Sequence, residues 1–308
     1  MSTIPIIKNI FFIYYIILFV LLPANIFSAD KQSQSKTSNK KKTKEICITF
    51  NELPASKSFG EIDRTAITYL ILETLKKHKV KAAGFVVGEE IGESFDILGE
   101  WLNNGHLLGN MTYSNQDLHE LGIEQFINDI KAGGKALETM LLGFGQKRRY
   151  FRYPYLHYGN SVESKKQIKL YLEGHNYKVV HTSVIIEDYL YNLSLEKMGK
   201  IPDSADYENL MNEYLNHVLD EIESSERLAK QVLKRSCRQI LQLRANRLNA
   251  VFLDEMLTAI EGMGYRFISL NRALKDKLYS TPEAYFGSRG VSYIEMIRDS
   301  DPDYLPAE

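Results

Sequence analysis

The stretch that most constrains this chain reads Ile46, Cys47, Ile48, Thr49, Phe50, Asn51, Glu52, Leu53, Pro54. Isoleucines, a threonine and a phenylalanine favour an extended backbone. Two polar side chains and a proline then end the run, because proline cannot continue a strand ladder. A strand of this kind delivers Asn51 and Glu52 to the open end of a parallel sheet or barrel. Downstream, extended and helical patterns alternate, which is the signature of an α/β fold. Short apolar runs at 82–88, 106–111, 150–153, 178–186, 239–243 and 265–270 predict further strands. Three- and four-residue spacing of apolar side chains predicts a helix opened by Asp63 or Thr65, and others over 97–102, 123–142, 161–173, 207–222 and 253–260. The Gly133-Gly134 pair weakens the middle of the longest of the early helices.

The 308 residues include 44% apolar side chains and carry a formal net charge of −1. That balance allows a sizeable core and gives no electrostatic case for binding nucleic acid. Lys8 precedes an unbroken apolar run over 10–22, followed by Pro23 and small residues ending at Ala29. The run is shorter than the ~20 residues of a membrane span and suits an export signal. Phe27 stands where a small residue is preferred for cleavage, so an uncut N-terminal anchor is the alternative. Residues 30–44 are lysine-rich and polar, with nothing to bury, and read as a disordered linker. The expected division is therefore 1–29 signal peptide or anchor, 30–44 linker and 45–308 the folded domain. Export permits a disulfide between Cys47 and Cys237, but both fall at or near expected buried strands, and inert core thiols are the reading adopted.

Several segments resemble, in order, the motifs of the NodB-type polysaccharide deacetylases, carbohydrate esterase family four. Thr49-Phe50-Asn51-Glu52 matches the family's Thr-Phe-Asp-Asp, and Phe85-Val86-Val87-Gly88 its second strand. Gly109-Asn110-Met111-Thr112-Tyr113-Ser114-Asn115 lies where the family has His-Thr-x-x-His. Phe151-Arg152-Tyr153-Pro154-Tyr155 resembles Phe-Arg-x-Pro-Tyr. Glu187-Asp188-Tyr189 supplies the acidic residue and aromatic of the fourth motif, and the segment from Leu241 to Ala250 resembles the fifth, with Arg244 in place of a histidine. The resemblance implies an α/β fold, a distorted (β/α) barrel with fewer than eight strands.

Family members hydrolyse the N-acetyl group of a sugar. A divalent metal polarises the carbonyl and acidifies a water, an aspartate base takes the water's proton, and a histidine acid protonates the leaving amine. Carried onto this chain, the resemblance puts Asn51 at the base, Glu52, Met111 and Asn115 at the metal ligands, Arg152 at the base-orienting arginine and Arg244 at the acid. An amide does not titrate near neutral pH, and a guanidinium does not surrender its proton. One carboxylate, one thioether and one amide make a poor zinc site. Loss of the base alone is expected to cost ~10²–10⁴-fold in rate. The family mechanism is therefore not expected here, and no cofactor is expected, although zinc or another divalent metal serves the family.

The remaining groups admit paired readings. Glu52 and Arg152 are expected to form a structural ion pair near Arg244; alternatively Arg152 and Arg244 bind an anionic sugar or carboxylate. Tyr153, Pro154, Tyr155 and Tyr189, with Tyr158 and Tyr191, either form a sugar-stacking platform or pack at the core edge. The histidines show no close-spaced ligand pair, although His157 and His181 lie near motif loops, where a relocated metal site would have to be built. The leading expectation is an exported, non-catalytic glycan-binding or regulatory relative, with polysaccharide or oligosaccharide as ligand, an envelope association and a catalytic deacetylase as candidate partner. Its rivals are a hydrolase using relocated groups such as Glu52, and a tethered scaffold that binds a protein through the apolar stripe of 207–222.

Overall fold

A computed structural model describes residues 43–55, 64–199 and 204–305. The expected leader, nearly all of the linker and Asp63 lie outside the described residues. Strand β1 (Lys44–Leu53) is the axis of the sheet. It pairs in parallel with β7 (Gln239–Arg244) along one edge, and with β2 (Ala83–Val86) and the short β8 (Tyr265–Phe267) along the other. The remaining strands are β3 (Leu107–Asn110), β4 (Arg149–Phe151), β5 (Tyr177–Val179) and β6 (Val184–Ile185). The continuous path runs β5-β4-β3-β2-β1-β7-β6, seven parallel strands in a curled barrel wall, with β8 attached to β1 alone. Around it lie α1 (Arg64–Lys77), α2 (Phe95–Asn103), α3 (Leu118–Leu121), α4 (Ile123–Gly143), α5 (Val162–Gly174), α6 (Asp188–Lys197), α7 (Ser204–Leu233), α8 (Arg247–Gly262), α9 (Leu270–Ala273) and α10 (Tyr293–Arg298).

A central parallel strand is covered on both faces, so its sequence is apolar almost throughout. Alternation sorts its side chains. Ile46, Ile48 and Phe50 join the core shared with α1, α2, α7 and α8, whereas Cys47 joins a second core with Phe85, Phe151 and Ile240. The two-residue period puts Thr49 and Asn51 on the Cys47 side, where the site is built. Both cysteines are free thiols, and burial pushes each up to about 12.

The single strand expected over 178–186 is two. The ends of the sheet, β5 and β6, follow one another in the chain, and the passage between them changes partner. The Val180 N–H donates to the Phe151 carbonyl at 2.8 Å, and the Ser183 N–H to the Ile240 carbonyl at 3.1 Å. No helix crosses over between these strands; α10 covers the passage instead. The Tyr293 N–H donates to the Thr182 carbonyl at 2.8 Å, and the His181 ring stacks on Tyr293 at 3.9 Å. The stripe of 207–222 is core, because Leu210, Tyr214, Val218 and Ile222 are buried in the cluster that includes α8. Among the described residues no helix is long and apolar enough to cross a membrane.

Two packing details hold the ends of the barrel. At the start of β1, the Glu45 carboxylate meets Arg238 at 2.9 Å, Arg272 at 2.6 Å and Arg266. Burial alone would raise its pKa, but the three guanidinium hydrogen bonds hold it down at about 2. At the other end, α4 crosses β3 so closely that a Cβ on Gly133 would lie 2.5 Å from the Thr112 carbonyl carbon. The glycine that weakens the helix is thus what admits the loop carrying Met111 and Asn115.

A carboxylate with a lowered pKa contributes stability that is present above its unfolded value and lost as it protonates. Glu45→Gln is therefore expected to cost about 1–3 kcal/mol at neutral pH, allowing for the exposure of Arg266 and Arg272. The difference should shrink below pH 4.5 and vanish near pH 2 in denaturant titrations. Gly133→Ala is expected to destabilise by ~1–3 kcal/mol through overpacking, despite its better helix propensity. An unchanged urea midpoint would show that α4 does not approach Thr112 so closely.

Candidate functional site

The C-terminal ends of β1, β3, β4 and β7 converge on one mouth. Arg152, directly after β4, is completely buried. Its Nη1 donates to Thr49 Oγ1 and Asn51 Oδ1, each at 2.8 Å, and its Nε to the Val180 carbonyl at 3.2 Å. The guanidinium carbon lies 4.0 Å from the Phe85 ring centre. Its Nη2 is screened from solvent without a hydrogen-bond partner. No carboxylate among the described residues pairs with Arg152, and burial draws its pKa down to about 10.

The expected pairing of Glu52 with Arg152 is corrected by the structure: Glu52 faces Arg244. Alternation along β1 turns Asn51 inward to Arg152, and Glu52, with φ 55°, turns the other way. Arg244 ends β7 in register with Asn51. Its Nε lies 3.5 Å from Glu52 Oε1 and its Nη1 2.8 Å from Asp188 Oδ1. Asp188 is fully buried at the start of α6, where Oδ2 also accepts the Arg244 backbone N–H at 2.6 Å and Asn249 Nδ2 at 2.7 Å. The guanidinium of Arg244 lies 5.0 Å from the Tyr189 ring centre. Burial raises the Glu52 pKa, and the Asp188 charge adds to this; Arg244 and a hydrogen bond from Asn115 oppose both without offsetting them.

Met111 is buried, and its N–H donates to the Val86 carbonyl at 3.0 Å. Asn115 has φ 55°, and its N–H donates to Thr112 Oγ1 at 3.0 Å. Its Oδ1 is screened and has no hydrogen-bond partner. That oxygen could serve a cation, but the other donors do not fit one. Met111 offers a soft thioether, and the one carboxylate, Glu52, already faces the fixed positive charge of Arg244. A divalent ion here would meet like-charge repulsion, so no chemical step is assigned through a metal at these positions.

The tyrosines divide. Tyr153 and Pro154 are buried; Tyr153 packs against Phe126 at 6.1 Å and Tyr158 at 4.8 Å. With Tyr158, His181, Tyr293 and Lys165, Tyr153 lines a cavity of about 700 Å³ between α5 and the segment before α10. Tyr155 is 57% exposed and Tyr189 38%. Glu52, Thr112, Asn115, Tyr155 and Leu156 all carry positive φ, a conformation that asparagine tolerates but that is costly for the other four and most of all for the β-branched Thr112. Such strain gathers at sites where the surrounding structure imposes it. The sequence reading missed Asp129 of α4, which holds the Met111 loop. Its carbonyl accepts the Tyr113 N–H at 3.1 Å, and its Oδ2 accepts Ser114 Oγ at 2.9 Å. No local signal marks such a long-range anchor. It also missed that Asp117 and His119 lie beside His157.

Removing one partner of a buried charge pair is strongly destabilising, so Asp188→Asn is expected to cost about 3 kcal/mol. Glu52 behaves oppositely. With its folded pKa raised above 4.5, the native state holds more protons than the unfolded chain, and stability is lost as pH rises through the folded value. Glu52→Gln is expected to be at least as stable as the parent at neutral pH, with a gap that closes below pH 4.5. Urea midpoints across that range read both effects.

A family model for polysaccharide deacetylase matches residues 38–177. A peptidoglycan-N-acetylglucosamine deacetylase from Bacillus cereus is 31% identical over 140 residues, covering 46% of this chain and 48% of the relative, so the match spans about half that protein's length. A CE4 family pseudoenzyme from Bacillus anthracis superposes with a TM-score of 0.53 at 16% identity, over 76% of this chain and 66% of that one. A peptidoglycan N-acetylglucosamine deacetylase structure also gives 0.53, at 22% identity, over 75% of this chain and 88% of that one. The sequence match runs from β1 to β5, and the likeness in fold reaches further around the barrel. Residues 38–177 thus match the polysaccharide deacetylase family, and the fold around them is that of the NodB-type barrel of carbohydrate esterase family four.

Proposed function

We propose that this chain is an exported, non-hydrolytic member of its family, which binds an N-acetylated envelope polysaccharide at the barrel mouth and acts beside a catalytic deacetylase. The observation that carries the reading is the Arg244 guanidinium held between Glu52 and Asp188. A permanent cation stands where the family's chemistry needs a group that can give up a proton. Asn51 accepts a hydrogen bond from Arg152 but cannot act as a base. The strained backbone of the mouth and the exposed rings of Tyr155 and Tyr189 support retained binding, since an aromatic face packs on sugar C–H groups. The existence of a CE4 family pseudoenzyme of similar fold supports the same reading. Export is supported by the apolar run over 10–22 and by relatives whose names place their action on peptidoglycan.

A second reading has one observation in its favour. The raised pKa of Glu52 is the property of a general base or acid, and a weak hydrolase built on Glu52 would exploit it. Acetate release from acetylated chito-oligosaccharides separates the two. The expected result is background release, together with chito-oligosaccharide binding that weakens about tenfold in Tyr155→Ala, in line with ~1.4 kcal/mol per decade. Turnover that disappears in Glu52→Gln would replace the first reading by the second.

A further inference from the structure

Beside the mouth lies a cluster that none of the family's motif positions includes. Asp117 caps the short α3 turn, its Oδ1 accepting the His119 N–H at 2.9 Å. That turn puts the Asp117 carboxylate and the His119 imidazole together. His157 reaches them from the loop after β4, its Nδ1 lying 2.8 Å from both carboxylate oxygens of Asp117. The two imidazole rings are stacked with centres 4.4 Å apart and planes 10° apart. One nitrogen of each ring and one oxygen of Asp117 all fall within 4.8 Å of one another, and all three residues are half-buried.

An aspartate–histidine hydrogen bond accounts for two of these residues. It does not account for a second imidazole laid against the first, nor for the Nε2 of His119, which is screened from solvent with no hydrogen-bond partner among the described residues. Two imidazoles and a carboxylate are a donor set suited to zinc and its first-row neighbours. Bonds of about 2.0–2.2 Å to a tetrahedral ion set ligand atoms ~3.4 Å apart, so rotation of the side chains closes the cluster around a cation.

We propose that Asp117, His119 and His157 form a binding site for a divalent first-row cation such as zinc, displaced from the family's metal position and independent of Glu52, Met111 and Asn115. The ion would tie the α3 turn to the loop after β4 and so brace Tyr155, whose hydroxyl feels the charges of both Glu52 and Asp117. Three protein ligands leave at least one coordination position for an oxygen from water or from a bound molecule.

The test uses the full chain carrying no histidine tag, stripped with chelator and dialysed against micromolar zinc. Elemental analysis should find one zinc per chain. His119→Ala, His157→Ala and Asp117→Asn should each weaken binding at least tenfold, while Glu52→Gln and the control His175→Ala keep it. Circular dichroism checks that each variant is folded. In the unaltered chain, cobalt substitution should give two paramagnetically shifted imidazole N–H signals by NMR, a readout that needs no variant. Failure to retain zinc, or retention in both folded histidine variants, overturns the proposal. Loss in Glu52→Gln alone overturns it too and moves the ion to the family position. Acetate release measured on the zinc-loaded chain is a separate readout: turnover lost in His119→Ala would defeat the non-hydrolytic reading while leaving this site in place.

Discussion

The mouth of this barrel depends on where one guanidinium sits. Arg244 is pinned by its own backbone N–H and its side chain to the buried Asp188, and it reaches Glu52 from the other side. A buried carboxylate without a cation would be costly, so Asp188 needs Arg244 as much as it positions it. With that cation fixed, Glu52 has a partner, and a second cation beside it would meet like-charge repulsion. Arg152, left without a carboxylate, settles on the neutral oxygens of Thr49, Asn51 and Val180 and on the face of Phe85.

The mouth is held from outside as well. Gly133 lets α4 touch the backbone of Thr112, and Asp129 grips the loop one turn earlier. These contacts impose the positive φ values of Thr112 and Asn115. A loop supported this firmly keeps its shape when its chemistry changes. The shape of the Met111–Asn115 loop is therefore supported from α4 and not by the side chains of Met111 and Asn115 themselves.

Much of this was legible in the residues. β1 announced itself because a doubly covered strand must be apolar on both faces, and α4, α5 and the stripe of α7 followed from helical spacing. The division of the tyrosines was not legible. Tyr153 and Tyr155 are two apart, yet one is core and the other open, because the chain bends through positive φ at Tyr155. The partner of Glu52 was misread because one-residue alternation, not nearness in motif order, decides which arginine it meets. The grouping of His157 with His119 depends on two loops meeting, and nothing in a spacing of nearly forty residues reveals it. The split of 178–186 into two strands arises from a change of ladder partner, which is a property of the closed sheet and not of that segment.

That split has a consequence for the order in which the molecule can be assembled. Everywhere else in the wall a strand is followed by local chain that can cover it, but the passage between β5 and β6 waits for Tyr293, more than a hundred residues later. Until α10 is in place, the Thr182 carbonyl lacks this hydrogen bond and the His181 ring lacks this stacking face. The barrel's last gap is therefore sealed by its most distant neighbour, which makes completion of this wall a late, long-range event.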